Sequence, residues 1–181
     1  MEEILAGGKR KLVLIKGDLT DLDVEAIVYY AEPDLVLGAG FGTAISVRGG
    51  PGIRKELEGL GPLKTGQVAV TAAGKLKAGW IFHAVGPRFQ EAGTEEKLRL
   101  TIANVLREAS SRGIRSLAFP PMGAGFYGIP LEMCARVMVE NIRTHLAGET
   151  SLEKAIICVL DNREFHPFRQ QLQTALEEAV Q

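Results

Sequence analysis

Short apolar runs alternate with amphipathic stretches from residue 11 to residue 180, and this alternation constrains the fold more than any other feature of the chain. Residues 11–16, 24–30, 67–71, 80–85, 116–119 and 154–160 are apolar runs of strand length. Residues 40–47, 53–60, 94–112, 131–146 and 165–180 read as helices. The helix over 94–112 has Thr94 as N-cap, Leu98, Ile102, Val105, Leu106 and Ala109 along one stripe, and Gly113 as its stop. Pro130 opens the next helix and Gly148 follows it. In the last, Phe168, Leu172, Leu176 and Ala179 are spaced to face a core, while His166 falls in a turn before Pro167. Strands interleaved with helices predict an α/β layered fold with helices on both sheet faces. Ligands of such folds bind beyond the C-terminal ends of the strands, near helix N-termini. Attention therefore falls on the loops after Tyr30 and Phe119. Residues 1–10 read as a polar lead-in and 11–181 as one domain.

Composition removes several classes. No apolar run approaches the ~18 residues of a membrane helix, and the acidic start lacks a signal-peptide pattern. The net charge of -1 argues against electrostatic binding of bulk nucleic acid. It leaves open a small anion held by backbone N–H groups. Cys134 and Cys158 show no metal or disulfide spacing and read as small core residues, so a reducing cytoplasm is the expected setting. No two of the three histidines pair in a ligating spacing, so neither metal nor cofactor is expected. His83, amid apolar residues on a strand, reads as a core residue, and Trp80 as packing rather than a ligand platform. A compact domain of this size is expected to be a monomer.

Glycine is the compositional outlier, 21 of 181 residues, against a usual fraction of ~7 %. Six of the 21 fall in two loops. The first contains Gly38, Ala39, Gly40, Phe41 and Gly42 before a predicted helix. Glycines there let backbone approach a ligand, and the helix N-terminus suits phosphate. A plain strand-to-helix turn would look the same. The second contains Gly123, Ala124, Gly125, Phe126, Tyr127 and Gly128, between a short strand and Pro130. Its aromatic rings can pack on a sugar or base, or plug the sheet edge. Two such loops in one small domain suggest a cradle for a diphosphate. Asp18, in Lys16-Gly17-Asp18-Leu19-Thr20, can accept from an exocyclic amine such as that of adenine, or simply cap a turn.

These motifs, in this order, resemble the macrodomain family. The likeness rests on the Gly-Asp-Leu-Thr after the first strand, Val24-Glu25-Ala26-Ile27-Val28, the Gly38-Ala39-Gly40 loop before Ala44-Ile45, and Gly66-Gln67-Val68-Ala69-Val70-Thr71. It continues through Ile81-Phe82-His83-Ala84-Val85-Gly86-Pro87, Gly123-Ala124-Gly125-Phe126-Tyr127-Gly128-Ile129-Pro130 and Leu160-Asp161-Asn162-Arg163-Glu164-Phe165. The resemblance implies a three-layer α/β/α sandwich with a six-stranded mixed sheet, and binding of ADP-ribose or ADP-ribosylated protein. It implies that Asp18 accepts from the adenine amine, with the Leu19 N–H at the ring. Leu160 would line the adenine side and Asp161 lie near its ribose, while the two glycine loops wrap the diphosphate and distal ribose.

The chain departs from the family at one end of this site. Hydrolytic macrodomains usually carry Asn-Ala-Ala-Asn after the second strand, and here the four residues are Tyr29, Tyr30, Ala31 and Glu32. Glu32 takes the place of the Asn that meets the distal ribose. One hydrolytic subclass has an Asp where this chain has Gly42. Glu32 admits three readings: a ribose contact, a base on water, or a solvent-facing turn residue before Pro33. The expected function is therefore ADP-ribose binding. The alternative is a hydrolase that removes ADP-ribose from proteins or nucleic acids or deacetylates O-acetyl-ADP-ribose, and a weaker one is a phosphatase on ADP-ribose 1″-phosphate.

Overall fold

The computed structural model describes residues 2–5 and 8–180. Along the chain run β1 (Glu2–Leu5), β2 (Lys11–Lys16), β3 (Ala26–Tyr30), α1 (Phe41–Gly49), α2 (Gly52–Leu57), β4 (Val68–Ala72) and β5 (Trp80–Ala84). They continue with α3 (Thr94–Ser111), β6 (Ser116–Phe119), α4 (Leu131–Ala147), β7 (Lys154–Val159) and α5 (Asn162–Val180). The strands form one sheet in the order β1-β2-β7-β6-β3-β5-β4. The inner five are parallel, and β1 and β4 pair antiparallel at the edges. Strands β2 to β7 are the six of the expected mixed sheet. The lead-in contributes β1 as a further edge strand on β2.

Side chains alternate across the pleat, so each parallel strand buries both its faces. On one face Leu12, Leu14, Val28, Phe82, Phe119, Ile157 and Val159 meet the apolar stripes of α3, α4 and α5. On the other, Val13, Ile27, Ile81 and Ile156 meet Ile45 of α1 and Ile53 and Leu57 of α2. The result is the three-layer α/β/α sandwich. Cys134 and Cys158 are both buried within these layers. No helix among the described residues is long and apolar enough to cross a membrane.

Three local expectations are corrected. Of the last-helix residues spaced to face a core, Phe168 and Leu172 are buried, but Leu176 and Ala179 are exposed and Ala175 takes their place. Thr94 is not the N-cap of α3. Gly93, in the left-handed region at φ 70°, takes that position, and the Thr94 hydroxyl instead donates to the Glu91 carbonyl at 2.6 Å. The last helix starts at Asn162 rather than 165, and His166, read as a turn residue, is helical, with Pro167 inside the helix. Asp161 sets that start: its Oδ1 accepts from the Glu164 N–H at 3.0 Å, and the Glu164 carboxylate reaches back to the Leu160 N–H at 2.7 Å. This reciprocal pairing resembles a capping box, except that the returning carboxylate accepts from the residue before Asp161. Pro167, which has no N–H to donate, lies farther along the helix.

Between α3 and α4, the Glu95 carboxylate accepts from Nη1 and Nη2 of Arg136, at 2.8 and 2.9 Å. That hydrogen bonding holds the Glu95 carboxyl down at about 2.

Candidate functional site

All of the sequence-nominated residues lie at one end of the sheet, beyond the C-terminal ends of the parallel strands. Asp18 and Leu19 follow β2, Ala31 and Glu32 follow β3, Gly123 to Tyr127 follow β6, and Leu160 and Asp161 follow β7. Gly38, Ala39 and Gly40 lead into Phe41 and Gly42 at the start of α1. The topology thus brings together loops that are more than one hundred residues apart in sequence.

Strand β3 ends in two tyrosines, and the pleat sends them to opposite faces. Tyr29 supports the first glycine loop. Its ring lies 5.8 Å from that of Phe41 and edge-on to His83 at 6.0 Å. Its hydroxyl fills the space beside Gly42, where a Cβ would stand 2.6 Å from the Tyr29 oxygen and 3.1 Å from the Leu37 carbonyl carbon. Gly42 and Tyr29 are therefore a steric pair: a side chain at 42 and a tyrosine at 29 exclude each other. Gly42→Ala is expected to lower stability by about 1–2 kcal/mol through overpacking, and by clearly less in a Tyr29→Phe background. Urea unfolding of the four proteins checks this, and equal losses in both backgrounds would refute the pairing.

Tyr30 supports the second loop. Its ring is 4.5 Å from that of Tyr127, and its hydroxyl donates to the Pro87 carbonyl. Gly123, at φ 80°, has no room for a Cβ between Ile129 and the Tyr30 hydroxyl. The loop continues through a short 3-10 turn, Gly125–Tyr127, and leaves Phe126 81 % exposed. Phe126 therefore does not plug the sheet edge; it stands at the mouth of the site.

Glu32 is fixed from two sides. Its Oε1 accepts from the Tyr127 hydroxyl at 3.1 Å, and its Oε2 meets Arg88 Nη2 at 3.0 Å. Burial, then the adjacent Glu32 charge, pushes the Tyr127 phenol well above its usual range, so it remains a neutral donor. The Arg88 guanidinium also lies 5.7 Å from the ring centres of both Phe126 and Tyr127. Of the three readings of Glu32, the solvent-facing turn residue is thereby corrected: the side chain turns inward to these partners.

At the other end, Asp18 caps the 3-10 turn Leu19–Asp21. Its Oδ1 accepts from the Thr20 N–H at 2.9 Å and the Thr20 hydroxyl at 2.6 Å, and its Oδ2 lies 3.3 Å from Arg48 Nη1. The Thr20 hydroxyl bond is the chief reason its carboxyl lies below the ordinary range. Capping the turn uses Oδ1 and leaves Oδ2 to Arg48, since the two oxygens of a carboxylate can serve different partners. Leu19 is buried beneath this turn and Leu160 is exposed on the far side.

Helix α1 opens on Gly40, which has no side chain to cap it. Orphan N–H groups and the positive end of the helix dipole meet at that point, an arrangement suited to phosphate oxygens. Trp80 lies at the opposite end of the sheet, half-exposed and away from the site.

Sequence reasoning missed Arg48 and Arg88. Arg88 had one available signal, a basic residue directly after Gly86-Pro87 at the C-terminal end of β5. Arg48 had none, because only the fold of α1 over the β2 loop brings it to Asp18.

The Macro domain family model matches residues 29–138. The chain is 34 % identical over 166 residues to a macro domain-containing protein of Caldanaerobacter subterraneus, covering 88 % of this chain and 94 % of the relative. It is similar to a solved mutant of the Oceanobacillus iheyensis macrodomain, with TM-score 0.89, 26 % identity and 98 % of each chain covered. It is also similar to the Trypanosoma brucei macrodomain solved in complex with ADP-ribose, with TM-score 0.84 and 26 % identity, covering 89 % of this chain and 68 % of that one.

Proposed function

The chain belongs to the macrodomain family, and on that premise we propose that it binds ADP-ribose, free or attached to a macromolecule, through the two glycine loops. The observation that carries this reading is the convergence of both loops, the uncapped start of α1 and Asp18 at one end of the parallel strands. The Trypanosoma brucei relative, solved with ADP-ribose, supports it. Backbone N–H groups and the helix end supply positive potential, so a chain of net charge -1 can still hold a dianion. In this reading Asp18 Oδ2, beside Arg48, also accepts from the adenine amine, and the Leu19 N–H meets the ring. Leu160 covers the base, Asp161 lies near its ribose, and Ala31 and Glu32 sit toward the distal ribose.

The reading is of a binding module rather than an efficient hydrolase. Both carboxylate oxygens of Glu32 are already engaged, one by the Tyr127 hydroxyl and the other by Arg88, so the side chain is committed to these partners rather than to a water. Gly42, packed under the Tyr29 hydroxyl, supplies no acidic side chain. Calorimetry is expected to show ADP-ribose binding with AMP far weaker, and no heat with ADP-ribose would overturn the proposal. Asp18→Ala should weaken ADP-ribose binding by about 1–3 kcal/mol, as expected for losing a hydrogen bond to a charged group. Unchanged affinity would remove Asp18 from the adenine site.

A further inference from the structure

We propose that Arg88 is a positioning residue for this ligand: it neutralises Glu32 and so permits a carboxylate to stand beside the loop that holds a diphosphate. The inference rests on the function proposed above.

Glu32 is bonded to Tyr127, and Tyr127 is part of the second glycine loop. A bare carboxylate at that place would repel the phosphates through a partly desolvated medium, where Coulomb effects outlast their range in water. Among the described residues the cation paired with it is Arg88, at 3.0 Å. The other group bonded to Glu32, the Tyr127 hydroxyl, is neutral and cannot take over this task. Glu91, the next acid along, is occupied by Lys97 at 2.8 Å and by the Arg88 backbone N–H at 3.0 Å. These four side chains therefore form a charge-balanced set, and Arg88 is its member at the loop.

Arg88 is also held where it is needed. The Phe89 N–H donates to the Tyr127 carbonyl at 3.0 Å, tying the segment after β5 to the loop. The guanidinium rests against the Phe126 and Tyr127 rings. Its side chain is 59 % exposed, and an ion pair so exposed adds little to fold stability. Its effect is on what approaches the loop.

The test is ADP-ribose calorimetry on wild type, Arg88→Ala, Glu32→Gln, the double variant and Arg88→Lys. Arg88→Ala should weaken binding about tenfold, in the range of charge-pair couplings at binding surfaces. In the Glu32→Gln background the same change should cost less than about twofold, because the repulsion it screens is gone. Arg88→Lys should recover most of the loss, and added salt should narrow the Arg88→Ala deficit. Melting temperatures report whether each variant is folded, so a binding loss with an unchanged melt belongs to the site. Equal losses in both backgrounds would mean that Arg88 touches the ligand itself and would overturn the inference. So would an Arg88→Ala variant that binds like wild type. Failure of wild type to bind ADP-ribose would overturn the proposed function and this inference together, whereas binding without the expected pattern would overturn the inference alone.

Discussion

Gly86→Ala is expected to destabilise the protein by about 3 kcal/mol, at the upper end of ordinary overpacking costs, and to weaken ADP-ribose binding with it. A Cβ at Gly86 would run into the hydroxyl, Cζ and Cε2 of Tyr30 together. These atoms are rigid and cannot rotate away as the end of an aliphatic chain can. The ring has nowhere to retreat, because it packs on Tyr127 and its hydroxyl lies against Gly123 and bonds to Pro87. Any shift of Tyr30 therefore carries the second glycine loop with it. Guanidinium unfolding would give the stability change and calorimetry the affinity. In a Tyr30→Ala background the Gly86→Ala cost should nearly vanish, since the clashing atoms are gone. A loss below about 1 kcal/mol in the wild-type background, smaller than a typical core overpacking cost, would show that the ring has room to move.

A second large effect is expected on acidification. His83 is fully buried, its Nε2 lies 2.9 Å from the Thr71 hydroxyl, and its Nδ1 has no partner among the described residues. Burial lowers its pKa from 6.5 to about 4. The unfolded chain therefore binds this proton from about pH 6.5 downward, while the folded protein refuses it until about pH 4. Stability from this group is complete above the unfolded value and falls as pH drops between the two. The total is about 3 kcal/mol, because each tenfold difference in proton affinity between the folded and unfolded chain corresponds to about 1.4 kcal/mol. His145, also depressed by burial and then by Arg10 and Arg107, adds to the loss with the same sign. The carboxyls of Asp18, Glu91 and Glu95 are depressed and titrate below pH 4.5, so they act in a more acid window. Urea midpoints from pH 7 to 5 isolate the histidine contribution. His83→Asn, which can still bond Thr71, should flatten that slope, and an unchanged slope would place the acid sensitivity elsewhere.

Much of the fold was legible in the residue pattern. The β2 run over 11–16 and the β6 run over 116–119 match the observed strands to the residue, because apolar runs buried on both faces leave little freedom in where a strand ends. The α3 stripe of Leu98, Ile102, Val105, Leu106 and Ala109 is buried in full. Helix starts were harder to read. Thr94 and Asp161 are both good caps by residue type. Only the path of the chain decided that a left-handed Gly93 would cap α3 while Asp161 would start α5 three residues early.

The site divides in the same way. Periodicity, glycine placement and the order of motifs determine by themselves the layered α/β fold and the two glycine loops at the end of the sheet where the ligand is proposed to bind, since both follow from local spacing. What Glu32, Gly42 and Asp18 do could not be decided from spacing. Their roles depend on Arg88 and Tyr127, on Tyr29, and on Arg48 with Thr20 respectively. Apart from Thr20, these partners arrive from other elements of the fold. Charge compensation and steric exclusion act over a few ångströms of space, and only the packed tertiary structure sets those distances.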